Sequence, residues 1–153
     1  MNSALVKSDI VPSMTVKQIE AVAGLELRLL PMPQVEIETK HVFHAGVYSR
    51  TVCGKKGTVF TAALLKVPTM LIISGDVSIY IGSGVVRKTG YHLLRGDVGR
   101  KQAFFCHEDT HMTMLFATDA QTVEDAEAEC TNEASKLMSR RNKNDVIING
   151  ENL

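Results

Sequence analysis

The sequence predicts a mainly β protein, a sandwich or barrel with one helix before it and one after it. Three observations carry that prediction. Residues 35–118 are rich in Val, Ile, Thr and Phe and are interrupted by recurrent glycines, the rhythm of many short strands joined by turns. On either side, "TVKQIEAVAG" from Thr15 and "TVEDAEAECTNEASKLM" from Thr122 repeat apolar residues at helical spacing instead. No internal repeat or low-complexity linker divides the chain. Residues 1–153 therefore read as a single domain: an N-terminal arm and helix over 1–34, a β-barrel over 35–118, and a C-terminal helix and tail over 119–153.

The first helix starts at Thr15, which stands three residues before Gln18 in the spacing of a capping box. Val16, Ile19, Val22 and Ala23 form its apolar face, Gly24 loosens its end, and "PMP" at 31–33 stops what remains. Strands are then expected over 35–38, 41–52, 58–66, 69–73, 76–81, 84–87, 91–94, 103–107 and 111–117. The clearest is "GDVSIYIGSG", in which Val77, Ile79 and Ile81 face one way and Ser78 and Tyr80 the other, before Gly82–Gly84 turn the chain into a hairpin. After Thr122 come two acids in the first helical turn, where the helix dipole favours them. Val123, Ala126, Cys130, Ala134, Leu137 and Met138 form the stripe that lies on the barrel, and Arg140 and Arg141 sit at the helix end. The closing "DVIING" adds an edge strand or docks on a neighbour.

Seventeen basic residues balance seventeen acidic ones, for a formal net charge of zero. That argues against nucleic-acid binding, which needs a basic face for phosphates; the "SRRNK" run at 139–143 reads as a solvated helix end. Cys53, Cys106 and Cys130 are odd in number and form no CxxC pair, so neither a zinc ribbon nor a disulfide framework is expected. Free thiols, no signal-peptide pattern in "MNSALVKSDIVPSM" and no apolar run longer than "MLII" at 70–73 point to a cytoplasmic protein with no membrane partner.

The phrases "GTVFTAALLKVPTMLIISGDVSIYIG", "TGYHLLRGDVGRKQAFFCHEDTHMTMLFAT" and "LMSRRN" resemble the cupin superfamily, and within it a group of phage-encoded single-domain cupin-like proteins. The resemblance implies a double-stranded β-helix barrel (a jelly roll) with both helices packed outside. It also implies homo-oligomers, and a host-cytoplasm or virion location. Cupins carry two metal-binding motifs framed by glycines. Laid on this chain from Gly57, the two histidine positions of the first fall on Ala63 and Leu65, the glutamate position near Thr69 and the closing glycine near Gly75. Anchored on Gly99, the second motif puts its proline position on Asp97 and its histidine on Gln102. The frame is kept and the strong ligands are missing. Zinc or iron needs imidazole, thiolate or carboxylate donors, so no metal cofactor is expected at the usual place.

A substitute cluster would come from "CHEDTH". In one straight strand His107, Asp109 and His111 would project together as a metal trio. Glu108-Asp109-Thr110 is better turn material, however, and Met112, Met114 and Phe116 claim the core face of the next strand. His41 and His44 point to opposite faces of theirs, and Cys106 and His107, being adjacent, cannot pair. What remains is a barrel mouth able to hold a small anionic or aromatic ligand, with Tyr48, Arg50, Lys66, Tyr80, His92 and Gln102 as polar candidates. The expected function is a non-enzymatic, oligomeric binding or assembly module, with virion proteins or a small ligand as partners. The alternatives are a protein that sequesters a host metabolite or signal, and a metal-dependent cupin isomerase or oxygenase with a rearranged histidine site.

Overall fold

A computed structural model describes residues 9–140 and 144–152. Residues 1–8 of the expected N-terminal arm, and Arg141–Lys143 of the basic run, lie outside the described residues. The element order is β1 (Ile10–Val11), α1 (Val16–Leu29), β2 (Thr39–His44), β3 (Val47–Gly54), β4 (Val59–Thr61), β5 (Thr69–Tyr80), β6 (Val85–Gly96), β7 (Ala103–Cys106), β8 (Thr110–Ala117), α2 (Val123–Cys130), β9 (Asn144–Ile148) and β10 (Glu151–Asn152). The fold is mainly β, a jelly-roll barrel flanked by two helices, as expected. Among the described residues no helix is long and apolar enough to cross a membrane.

The strands run in the order β1-β6-β5-β8-β3-β2-β9-β10, with β7 also on β5 and β4 on β7. One hairpin makes this a barrel rather than a plane. β5 and β6 stay paired from Thr69↔Gly96 to Tyr80↔Val85, yet β5 changes its other neighbour halfway. Met70–Ser74 pair with β8 and Val77–Tyr80 pair with β7. At the change Gly75 faces Gly90 in register, with φ of 149° and 87°. Both values suit a residue without a Cβ, so the ladder bends there instead of breaking. The corner is filled from outside: a Cβ on Gly75 would lie 2.5 Å from Thr110 Oγ1, and the Asp76 N–H donates to that oxygen at 3.0 Å.

Alternation then sorts the side chains. Leu71, Ile73, Val77 and Ile79 of β5 point inward with Leu94, Phe104 and Met112. A second apolar cluster of Phe43, Tyr48, Leu65 and Phe116 receives Ala126 and Cys130 from α2.

Several expected boundaries move. The single strand over 41–52 is two strands, because Ala45 and Gly46 take φ of 53° and 72°, the pair of positive values of a tight hairpin turn. Residues 69–73 and 76–81, and likewise 84–87 and 91–94, fuse into the long β5 and β6 for the reason just given. Residues 35–38 form no strand, and 58–66 shrinks to β4. The capping box forms, with Gln18 N–H donating to Thr15 Oγ1 at 3.2 Å and Thr15 N–H to Gln18 Oε1 at 2.8 Å. α1 runs through Gly24 to Leu29, and of its expected apolar face only Val22 is buried, while Val16 is exposed.

The second helix stops at Cys130 rather than near Met138. Thr131 is extended, donating its hydroxyl to Leu64 O at 2.6 Å and bridging Leu65. Bonds to the barrel replace the helical ones, and two short 3₁₀ turns carry the chain onward. "DVIING" does add a strand: β9 lies parallel to β2.

Candidate functional site

The inward faces of the strands enclose a cavity of about 900 Å³. Its wall is mostly hydrocarbon: Val52 of β3, Leu71 of β5, Phe104 of β7, and Met112 and Met114 of β8. Each sits at an inward position of its strand, so strand periodicity alone turns these residues to one interior. Large apolar side chains also stand at the mouth, beside polar ones such as Gln34 and Lys136. Leu27, Leu30, Met32 and Val35, from the end of α1 and the chain after it, line the cavity while remaining more than half exposed.

Two polar residues lie deep on the same wall. Arg100 is 1% exposed and Gln102 3%. The Arg100 guanidinium packs against the backbone of Gly96, where a Cβ would lie 2.4 Å from its central carbon. Its Nε donates to Gln102 Oε1 at 3.2 Å, Nη1 to Asp97 O at 2.5 Å, and Nη2 to the Thr69 hydroxyl. All three acceptors are neutral, and among the described residues no carboxylate stands within ion-pair distance of Arg100. Burial pulls the guanidinium pKa down to about 10, so the group is still cationic at neutral pH. Gln102 Nε2 is buried and has no hydrogen-bond partner. Asp97 is the one carboxylate that supports the charge, and it does so from beyond contact distance. A buried cation with no contacting carboxylate, beside an unused amide donor, costs free energy that an anion in the cavity would offset.

The other cations on the wall are already neutralised. Arg50 Nη1 meets Glu127 Oε2 at 2.7 Å, and Glu127 is wholly buried. Burial works to raise the Glu127 pKa. Hydrogen bonds from Ser139, Arg50 and Arg140 outweigh that and hold it below the ordinary value. Behind Arg50 the network continues inward through Tyr48 Oη to His41 Nδ1 at 2.7 Å, and from His41 Nε2 to Asn144 Oδ1 at 2.7 Å. The Asn144 carbonyl only accepts, so His41 donates from Nε2 and takes the Tyr48 proton at Nδ1. Burial lowers the His41 pKa and raises that of Tyr48 to about 12. Lys101 is clamped between Glu26 at 2.6 Å and Glu133 at 3.0 Å, fastening α1 and the chain after α2 to the barrel near the mouth. Cys130 lines the cavity, but burial pushes its thiol up to about 11, so it is no thiolate at neutral pH.

The candidates read from sequence divide as follows. Arg50 and Gln102 line the cavity, and Tyr48 stands behind Arg50. Lys66 bonds Asn132 at the exposed surface, His92 Nε2 meets Thr89 O, and Tyr80 is half-buried at the end of β5; none of these three lines the cavity. His107 Nε2 pairs with Ser78 Oγ at 2.7 Å, and Asp109 accepts the Lys56 N–H at 2.9 Å. His111 is exposed on β8 beyond the turn at 107–109. Among the described residues no three His, Cys, Asp or Glu side chains converge on a point that could hold a metal.

The positions the resemblance gives to metal ligands do not fit a divalent cation. Ala63 and Leu65 line the cavity with hydrocarbon, and Thr69 and Gln102 are joined by the Arg100 guanidinium. Arg100 itself was missed by sequence reasoning. The signal was present, since in extended chain Arg100 shares a face with Gln102, two residues on.

No model of a known protein family matches the sequence, and no curated protein matches it. Several solved structures are similar to part of the chain. Ectoine synthase from P. lautus is 17% identical, with a TM-score of 0.47 over 60% of this chain and 70% of its own. The cupin domain of an XRE-family transcriptional regulator from Enterobacter cloacae is 13% identical, with a TM-score of 0.46 over 56% of this chain and all of its own. The Schizosaccharomyces pombe Cnp3 cupin domain is 16% identical, with a TM-score of 0.44 over 68% of this chain and 80% of its own.

Proposed function

We propose that this chain is a cupin-like binding module that holds a small organic molecule inside its barrel without a metal. The supporting observation is the cavity: about 900 Å³, walled mostly by apolar side chains, with the buried Arg100 and Gln102 among its few buried polar groups. That is the shape and lining of a small-molecule site rather than a packed core. Uptake of a neutral apolar dye such as Nile red tests it. Wild-type protein binds the dye with one-to-one stoichiometry, and Ala62→Trp, which fills the wall from a lining position, abolishes binding while keeping the β-sheet circular dichroism. Equal uptake by both proteins would show that the dye sits elsewhere and would refute the reading.

Self-association is a second proposal, supported by a different surface. On the outer face of the sheet Tyr91, Leu93 and Met70 are 69%, 47% and 40% exposed. They lie next to one another, since Ser74↔Tyr91, Ile72↔Leu93 and Met70↔Leu115 are paired. A second copy of the chain would cover this apolar face. Sedimentation of the wild type should give an oligomer that Tyr91→Glu/Leu93→Lys converts to monomer; a monomeric wild type refutes it.

A further inference from the structure

The class of ligand can be taken further, on the reading that the cavity is a binding site. We infer that the occupant is an amphiphilic monoanion, a carboxylate on an aliphatic body, with its head on Arg100 and Gln102 and its tail toward the mouth.

Two independent observations set the two ends. At the deep end, the Arg100 guanidinium has only neutral partners, Gln102 Oε1, Asp97 O and Thr69 Oγ1, which leave two of its five N–H groups unused. Beside it Gln102 Nε2 is buried and unpartnered. A carboxylate has two oxygens that accept in one plane, and the guanidinium edge and the amide supply donors of that kind. The Asp97 carboxylate reaches this guanidinium only through space, so the site has one cation with no carboxylate in contact, which suits a single negative charge. Arg50 cannot serve as the receptor, because Glu127 already takes its charge. The acids that line the cavity, Glu26 and Glu133, are both engaged by Lys101.

At the shallow end four large apolar side chains stand among polar ones such as Gln34 and Lys136. Leu27, Leu30, Met32 and Val35 line the same cavity and stay 53–71% exposed. A tail leaving the carboxylate would pass Leu71 and Met112 and cover these residues, removing apolar surface from water. A wholly polar ligand such as a sugar would leave them uncovered.

Isothermal titration at pH 7.5 with octanoate, octan-1-ol and octylammonium, three probes with one tail and different heads, tests the assignment. Octanoate should bind one to one, with the alcohol at least about tenfold weaker, the loss expected for a charged hydrogen bond in a buried site, and the ammonium not at all. Gln102→Glu places a resident carboxylate beside Arg100. It should abolish octanoate binding, keep octan-1-ol binding and melt no lower than wild type, so a folding failure cannot imitate the result. Arg100→Lys keeps the charge but loses the planar edge and should weaken octanoate at least about tenfold. If octanoate and octan-1-ol bind alike, or Gln102→Glu keeps octanoate affinity, the head-group assignment is overturned while the cavity reading stands. If none of the three probes binds, both fall.

Discussion

Glu127 holds the wall of the site together, and its removal gives the sharpest test of the energetics. Its carboxylate is fully buried and receives Arg50 at 2.7 Å, Arg140 at 2.8 Å and the Ser139 hydroxyl. Glu127→Gln keeps the shape and withdraws the charge. Arg140 is one-third exposed and can turn to water, so its share is small. Arg50 is only 13% exposed and cannot; it is left as a buried, unpaired cation, which costs about 3 kcal/mol. For a chain of this length that lowers the melting temperature by roughly 6–12 °C and the urea midpoint by about 1.5 M. Chemical denaturation of four proteins, wild type, Glu127→Gln, Arg50→Met and Arg50→Met/Glu127→Leu, completes the assay. The double variant should recover to within about 1 kcal/mol of wild type, since both charges leave together. A Glu127→Gln protein within about 1 kcal/mol of wild type would show that Arg50 does not depend on this carboxylate.

Other variants probe the frame around the site. Gly75→Ala forces a Cβ against Thr110 at the barrel corner at a φ of 149° and should cost at least about 2 kcal/mol by thermal denaturation. Gly24→Ala has open space within α1 and should gain about 0.5–1 kcal/mol, a rise in melting temperature that would vanish if the helix did not run through residue 24. Stability should fall on the acid side in two stages. His41 has a folded pKa below 6.5, so the unfolded chain takes up the proton first and stability present above about pH 6.5 declines beneath it. Glu127 has a folded pKa below 4.5, so its contribution is present above that value and is lost as pH falls further. Denaturation midpoints measured from pH 8 to pH 3 check both stages, and His41→Asn should remove the first alone.

Much of the fold was legible because it rests on local chemistry. Thr15 and Gln18 cap α1 through bonds three residues apart, and the Gly82–Gly84 turn joins β5 to β6 as read. The alternation that turned Met112 and Phe116 inward and His111 outward also holds, both apolar residues being buried and His111 exposed. The boundaries that failed were those decided by distant partners. Thr131 leaves the helix for Leu64, 67 residues earlier, and no local propensity records that competition. The strands expected over 69–73, 76–81, 84–87 and 91–94 left Gly75 and Gly90 in the gaps between them; only their pairing shows that they bend one continuous ladder.

The site followed the same division. At the positions the cupin resemblance assigns to metal ligands the residue types were legible: Ala63 and Leu65 offer hydrocarbon, and Gln102 at best one weak carbonyl oxygen. Tyr48 and Arg50, two residues apart in β3, share a face because side-chain alternation is intrinsic to a strand. The sequence could not tell that Arg50 is neutralised by Glu127, 77 residues away, while Arg100 is left with neutral partners. Charge in a protein interior is a matter of what else is within a few ångströms, and long-range closure of the barrel sets those distances. Sequence determined which residue types each strand can turn inward; tertiary structure decided which cation among them has no carboxylate in contact.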